Sequence, residues 1–190
     1  MVVEELENFK DKVEELRAKG YEVDDALTEV TIPEGVTEIE EDAFKDCDSL
    51  LNINIPDSVI EIGKSAFEFC DNLTNVTLPD SVTKIGESAF KDCLNLTSIN
   101  IPDNVTKIED NTFNSCVNLA NLYIPDSVTE IGEGALKTCL DLRTISIPAN
   151  LDVYKAQIPE FCRIIRRGSY NFSLVESKRK MFNRIYKKFN

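Results

Sequence analysis

The amino-acid sequence predicts a right-handed solenoid, mainly β, built of parallel strands and short helical turns. Three observations point there. Pro33, Pro56, Pro79, Pro102, Pro125 and Pro148 recur every 23 residues, and Cys47, Cys70, Cys93, Cys116, Cys139 and Cys162 keep the same period. Between them run apolar columns in one register: Leu27 to Leu142, Val36 to Leu151, Ile39 to Tyr154, and Phe44 to Leu136. No insertion interrupts the register, and a unit this short cannot bury its own apolar face, so units must stack.

Each element of the unit follows from its residues. In 50–56 the alternation of Ile53 and Ile55 with Asn52 and Asn54 is that of a half-buried strand. Pro56 ends it, because proline donates no ladder hydrogen bond, and Pro-Asp-Ser then forms a turn whose Asp57 or Ser58 bonds backbone amides. Val59 and Ile62 return inward. Ala66, Phe67 and Cys70 have the spacing of a short helical turn with one buried face. Parallel stacking at about 4.8 Å per strand makes six such units a sheet roughly 29 Å wide.

A stack needs its ends covered. Residues 1–26 are expected to form a helical N-terminal cap, with Val2, Leu6, Phe9, Val13 and Leu16 as its apolar stripe and Gly20 as its stop. The same stripe would suit a coiled-coil dimer, but it spans barely two heptads, so a monomer is expected. Residues 27–162 hold about six repeats. The last repeat decays, with the register placing Tyr154 where isoleucine belongs, Pro159 for phenylalanine and Gly168 for the strand isoleucine, and residues 163–190 are expected to form a basic C-terminal cap or helix.

The unit reads L-x-x-[IV]-x-[IL]-P-x-x-V-x-x-I-x-x-x-A-F-x-x-C over residues 27–162. It resembles the BspA-like class of leucine-rich repeats. It departs from the general leucine-rich-repeat pattern at the asparagine position, which holds Gly35, Ser58, Ser81, Asn104, Ser127 and Asn150, so no continuous asparagine ladder is expected there. The resemblance implies a curved leucine-rich-repeat solenoid used for protein or surface recognition, and no particular partner.

Charge divides the chain. The net charge is −13, yet residues 163–190 carry nine Lys/Arg and one acid, Glu176, leaving residues 1–162 at −21. An acidic body repels phosphates and argues against nucleic-acid binding through the repeats. The basic tail, with Arg166, Arg167, Lys178, Arg179, Lys180, Arg184, Lys187 and Lys188, is the one segment suited to an anionic membrane, a nucleic acid or a partner groove. The N-terminal stretch MVVEELENFK lacks the layout of a signal peptide, so a cytoplasmic chain is expected, or a surface or secreted one if a leader was removed.

Chemistry finds few footholds. The chain has no histidine and no tryptophan, so its serines lack the usual activating base. Gly63, Gly86 and Gly132 recur with the period and mark turns rather than a phosphate loop. The cysteine column has no metal-ligand spacing, and its stacked side chains point in parallel, so buried apolar packing is expected. The column Glu34, Asp57, Asp80, Asp103 and Asp126 faces solvent in the turn after proline, whereas calcium wants six or more converging oxygens. No enzyme activity, cofactor or metal is therefore expected. A protein partner is expected on the concave strand face, at Asn52, Asn54, Asn75, Thr77, Ser98, Asn100, Asn121 and Tyr123. Tyr123 is the sole aromatic on that face, a residue type enriched at interface hot spots.

Overall fold

Residues 15–23 and 26–168 are described by the computed structural model; most of the expected N-terminal helix and all of 173–189 lie outside them. The predicted strands form the first column: Glu29–Thr31, Asn52–Asn54, Asn75–Val76, Ser98–Ile99, Asn121–Tyr123 and Thr144–Pro148. They are parallel and in the predicted register, with Asn52 opposite Glu29, Asn75 opposite Ser98 and Asn121 opposite Thr144.

A second column stands where the sequence suggested only inward-pointing residues. Glu38–Ile39, Glu61–Ile62, Lys84–Ile85, Lys107–Ile108 and Glu130–Ile131 are two-residue strands, paired in parallel within two groups. Their isoleucines are all buried. β-Branched residues suit this pleated, half-buried setting. Where the backbones of successive turns come closest, a Cβ on Gly86 would lie 2.7 Å from the main chain of Gly63 and Lys64. Close approach explains this glycine better than turn conformation does.

The short helical turns expected around Ala66 and Phe67 are not formed. Alternate amides there serve different masters: Ser65, Phe67 and Phe69 donate to the carbonyls of Glu87, Ala89 and Lys91 in the next turn, while Ala66, Glu68 and Cys70 donate back three residues. The segment is thus a third ladder between turns. It demands positive φ at two positions per turn, for example Ser65 (51°) and Phe69 (61°). The first of these columns reads Asp42, Ser65, Ser88, Asn111, Gly134, mostly small polar residues or glycine. Such residues visit the left-handed region at lower cost than bulky ones.

The core runs the length of the stack. The rings of Phe44, Phe67, Phe90 and Phe113 are fully buried and stacked, with centroids 5.3, 5.1 and 5.9 Å apart and planes within 10° of parallel. At the N-terminal end Tyr21 continues this stack on Phe44, 5.7 Å away, and Leu16 is buried. The helical residues 15–18 end in a Schellman motif: Tyr21 N–H donates to Leu16 and Gly20 N–H to Arg17, with Gly20 at φ 85°. Glu22–Val23 then pairs antiparallel with Glu29–Thr31 and closes that edge of the first column.

The last turn closes four residues early. Arg163–Arg167 is a strand of the first column, pairing Arg163 with Thr144 and Ile164 with Ile145. Ile164, not Gly168, therefore occupies the strand position, and the column continues beyond residue 162. A 3-10 turn at Tyr154–Ala156 takes up the shortened path, and Ala156 carries the buried alanine position.

Candidate interaction surface

All eight expected binding residues, Asn52, Asn54, Asn75, Thr77, Ser98, Asn100, Asn121 and Tyr123, are exposed on the first column. The structure brings them into one strip. Two neighbouring depressions of about 460 and 590 Å³ lie along it and share Thr77; the first is lined by Asn52, Asn54 and Asn75 with Glu29 and Asp57 at its rim, the second by Ser98, Asn100, Asn121 and Tyr123. From Asn52 to Ser146 the strand segments carry no charged residue, in a chain that is 29% charged.

The side chains in the strip divide by what they are already doing. Asn100 donates to the Leu78 carbonyl and accepts from the Leu78 amide, both at 2.7 Å, so its carboxamide extends the ladder between turns. Asn75 accepts from Ser98 at 2.7 Å and from Thr97 at 3.1 Å. Asn52, Asn54, Thr77 and Asn121 have no partner among the described residues, which leaves their donors and acceptors to solvent or a ligand.

Tyr123 brings the two sequence-predicted sites together. Its ring is 52% exposed, and the Arg167 guanidinium lies 4.2 Å from its centroid. Arg167 is fixed by Asp126 at 2.6 Å, Ser146 at 3.0 Å and the Ile124 carbonyl at 2.5 Å. Arg166 donates to the carbonyls of Ala149 and Leu151. These two arginines therefore hold the end of the solenoid. Lys178, Arg179, Lys180, Arg184, Lys187 and Lys188 lie outside the described residues.

Away from the strip the polar groups are structural. Cys70, Cys93, Cys116 and Cys139 each donate a thiol hydrogen bond to the phenylalanine carbonyl of the preceding turn, at 3.0 to 3.1 Å. Burial pushes the first three thiols well above the usual range and Cys139 to about 12, which removes the nucleophilic thiolate at neutral pH. The column Glu34, Asp57, Asp80, Asp103, Asp126 is exposed. Among the described residues no cluster of three His, Cys, Asp or Glu could hold a metal, and no helix is long and apolar enough to cross a membrane.

Glu68 is the one buried acid among the described residues. Burial raises its pKa, but hydrogen bonds from Lys91, Lys45 and Ser65 more than offset this and hold it at about 2. The Lys91 contact is 2.6 Å and the Lys45 contact 3.1 Å, which ties three successive turns together. A depressed carboxyl stabilises the fold above its unfolded pKa and loses that contribution as pH falls towards 2. Glu68→Gln is expected to cost about 1–3 kcal/mol at pH 7, and to flatten the decline in stability between about pH 5 and 2. Urea unfolding at several pH values tests it; parallel curves for parent and variant would refute the ladder.

A family model described as the BspA type leucine rich repeat region matches six copies over residues 14–97 and 37–166. The chain belongs to this family. Among solved structures it resembles a leucine-rich-repeat protein of T. pallidum, at 26% identity and a TM-score of 0.64, covering 77% of this chain and 78% of that one. A leucine-rich-repeat protein from Bacteroides ovatus is 22% identical (TM-score 0.46; 73% and 53% covered). A leucine-rich cell surface protein from Faecalibacterium prausnitzii is 25% identical (TM-score 0.42; 76% and 61% covered). No curated protein matches. Proteins of this leucine-rich-repeat type are generally interaction scaffolds and typically non-catalytic.

Proposed function

We propose that this BspA-type chain is a non-catalytic scaffold that binds a protein partner along the first strand column, from Asn52 to Tyr123. The observation carrying this reading is the uncharged, exposed strip with its two adjoining depressions. The opposite column, by contrast, is paired with itself: Lys84 bonds Glu61, and Lys107 bonds Glu109 at 2.8 Å. The unspent side chains of Asn52, Asn54, Thr77 and Asn121 beside one aromatic ring offer adaptable hydrogen bonds and a stacking anchor.

The test compares three proteins as immobilised baits in extract from the source organism, then by direct titration of whatever is retained. Tyr123→Ala with Thr77→Arg should weaken binding at least ~30-fold, the loss expected of a hot-spot aromatic. Glu130→Lys on the second column should leave it unchanged. Equal binding by parent and strip variant, or loss only with Glu130→Lys, would place the partner elsewhere.

A further inference from the structure

Arg167 shows what one edge of the strip accepts. Its guanidinium bonds the Asp126 carboxylate, the Ile124 carbonyl and the Ser146 hydroxyl, and it lies over the Tyr123 ring. That seat is assembled from repeat positions: a strand carbonyl, the acid after proline, and an outward polar side chain one turn on. The three preceding turns hold the same positions, at Asp57, Asp80 and Asp103. The Asp57 turn matches most fully, with the Ile55 carbonyl before it and the Thr77 hydroxyl on the next rung. At the Asp80 turn Asn100 already bonds the Leu78 carbonyl, so the carboxylate is the main acceptor left.

Unlike Asp126, these three acids are unspent. Their carboxylates are exposed and have no hydrogen bond or ion pair among the described residues. In the first of these turns the turn bonding is done by Ser58, which accepts from the Gly35 amide. No base offsets them locally: residues 52–59, 75–82 and 98–105 hold the three acids and neither lysine nor arginine. The bases that follow each in sequence, Lys64, Lys84 and Lys107, are paired with Glu87, Glu61 and Glu109.

We propose that the partner bound along the strip presents an extended, arginine-bearing segment whose guanidinium groups engage Asp57, Asp80 and Asp103. This rests on the strip being the binding face and adds the chemistry of what it binds. Charge complementarity favours it. A row of unpaired carboxylates, on a body whose residues 1–162 sum to −21, draws cations in and turns anions away. Spacing favours it too. Turns stack about 4.8 Å apart, so Asp57 and Asp103 are about 10 Å apart along the stack. Alternate residues of an extended segment lie about 7 Å apart on one face, a difference that long side chains absorb. Arginine suits the row better than lysine, because a carboxylate, a carbonyl and a hydroxyl in different directions match a planar fork of donors rather than a point charge.

The test titrates the full chain with a short fluorescent peptide of alternating serine and arginine. Asp57→Asn/Asp80→Asn/Asp103→Asn should weaken its binding by roughly tenfold or more. Glu41→Gln/Glu87→Gln/Glu133→Gln removes the same charge from exposed positions outside the first column and should change binding by less than about twofold. All six sites are exposed, so both variants should keep the parent's thermal midpoint. Equal losses in the two variants would mean that net charge alone is read, and would overturn the proposal. So would no loss in either. Peptide binding that appears only with Lys178→Glu/Arg179→Glu/Lys180→Glu would give the row to the chain's own basic segment instead of a partner. The strip itself is judged separately, on the protein retained from extract. A partner lost with Tyr123→Ala/Thr77→Arg but bound at full strength by the Asp57, Asp80 and Asp103 variant would leave the strip standing and sink its basic ligand.

Discussion

Phe90→Ala is expected to lower the thermal midpoint by roughly 10–15 °C. A buried phenylalanine truncated to alanine costs about 3–5 kcal/mol, and a domain of this size loses about 2–4 °C per kcal/mol. Phe90 should fall at the upper end because it has a ring on either side, Phe67 at 5.1 Å and Phe113 at 5.9 Å. Its carbonyl also accepts the Cys116 thiol, so collapse of the cavity would pull on a second column. Parent and variant are compared by calorimetry. Phe90→Leu supplies the internal scale, since the chain itself places Leu136 in this column, fully buried; it should cost about 1 kcal/mol. Phe90→Ala no worse than Phe90→Leu would mean that the site closes around the missing ring and that no cavity is left.

How far such residues could be read from the sequence depended on whether their role was local or shared between turns. The strand Asn52–Asn54 and the buried cysteines were legible because alternation and apolar character are properties of single side chains repeated in register. The segment around Phe67 was misread because its i, i+1, i+4 spacing fits one face of a helix equally well. What excludes the helix is the commitment of alternate amides to the next turn, which a single repeat does not reveal. A signal existed: the column Asp42, Ser65, Ser88, Asn111, Gly134 is what positive φ prefers.

The asparagines teach the same lesson. The family's asparagine position is indeed broken, yet its serines still bridge turns, Ser81 to Val59 and Ser127 to Val105. A ladder forms one column away instead: Asn118 donates to Asn95 at 3.1 Å, Asn95 to Asn72 at 3.5 Å, and Asn72 to the Asp48 carbonyl at 2.7 Å. In the strip, sequence identified the outward residues but could not separate Asn100, spent on Leu78, from the unspent Asn121. Nor could it place Arg167 over Tyr123, because a strict 23-residue register puts Arg167 four residues away from its true rung. The early closure of the last turn is a three-dimensional fact carried by Ala156 and the 3-10 turn.

The thiol ladder makes a further, larger prediction at alkaline pH. Cys70, Cys93 and Cys116 have thiol pKa values raised well above the ordinary range by burial, and Cys139 is raised to about 12. Their unfolded values are near 8.5. A group whose folded pKa is raised contributes stability that is complete below the unfolded value and lost as pH rises through the folded one. Above about pH 9.5 the unfolded chain gives up four protons that these thiols keep in the fold, so they alone should lower stability by about 5 kcal/mol per pH unit, at 1.36 kcal/mol per thiol, and Cys162, raised as well, adds to the fall. The lysines bonded to Glu68 and Glu61 are raised too and act with the same sign, but from a higher unfolded value near 10.4. Urea unfolding at pH 8.5 to 10 reads the slope before they contribute. Cys93→Ala/Cys116→Ala begins less stable yet should show a clearly shallower slope than the parent, by about 2.7 kcal/mol per pH unit, since two of the raised thiols are gone. An unchanged slope, or thiolate absorbance rising near pH 9 in the folded parent, would show that the column is open to water and that the hydrogen bonds to the phenylalanine carbonyls do not persist in solution.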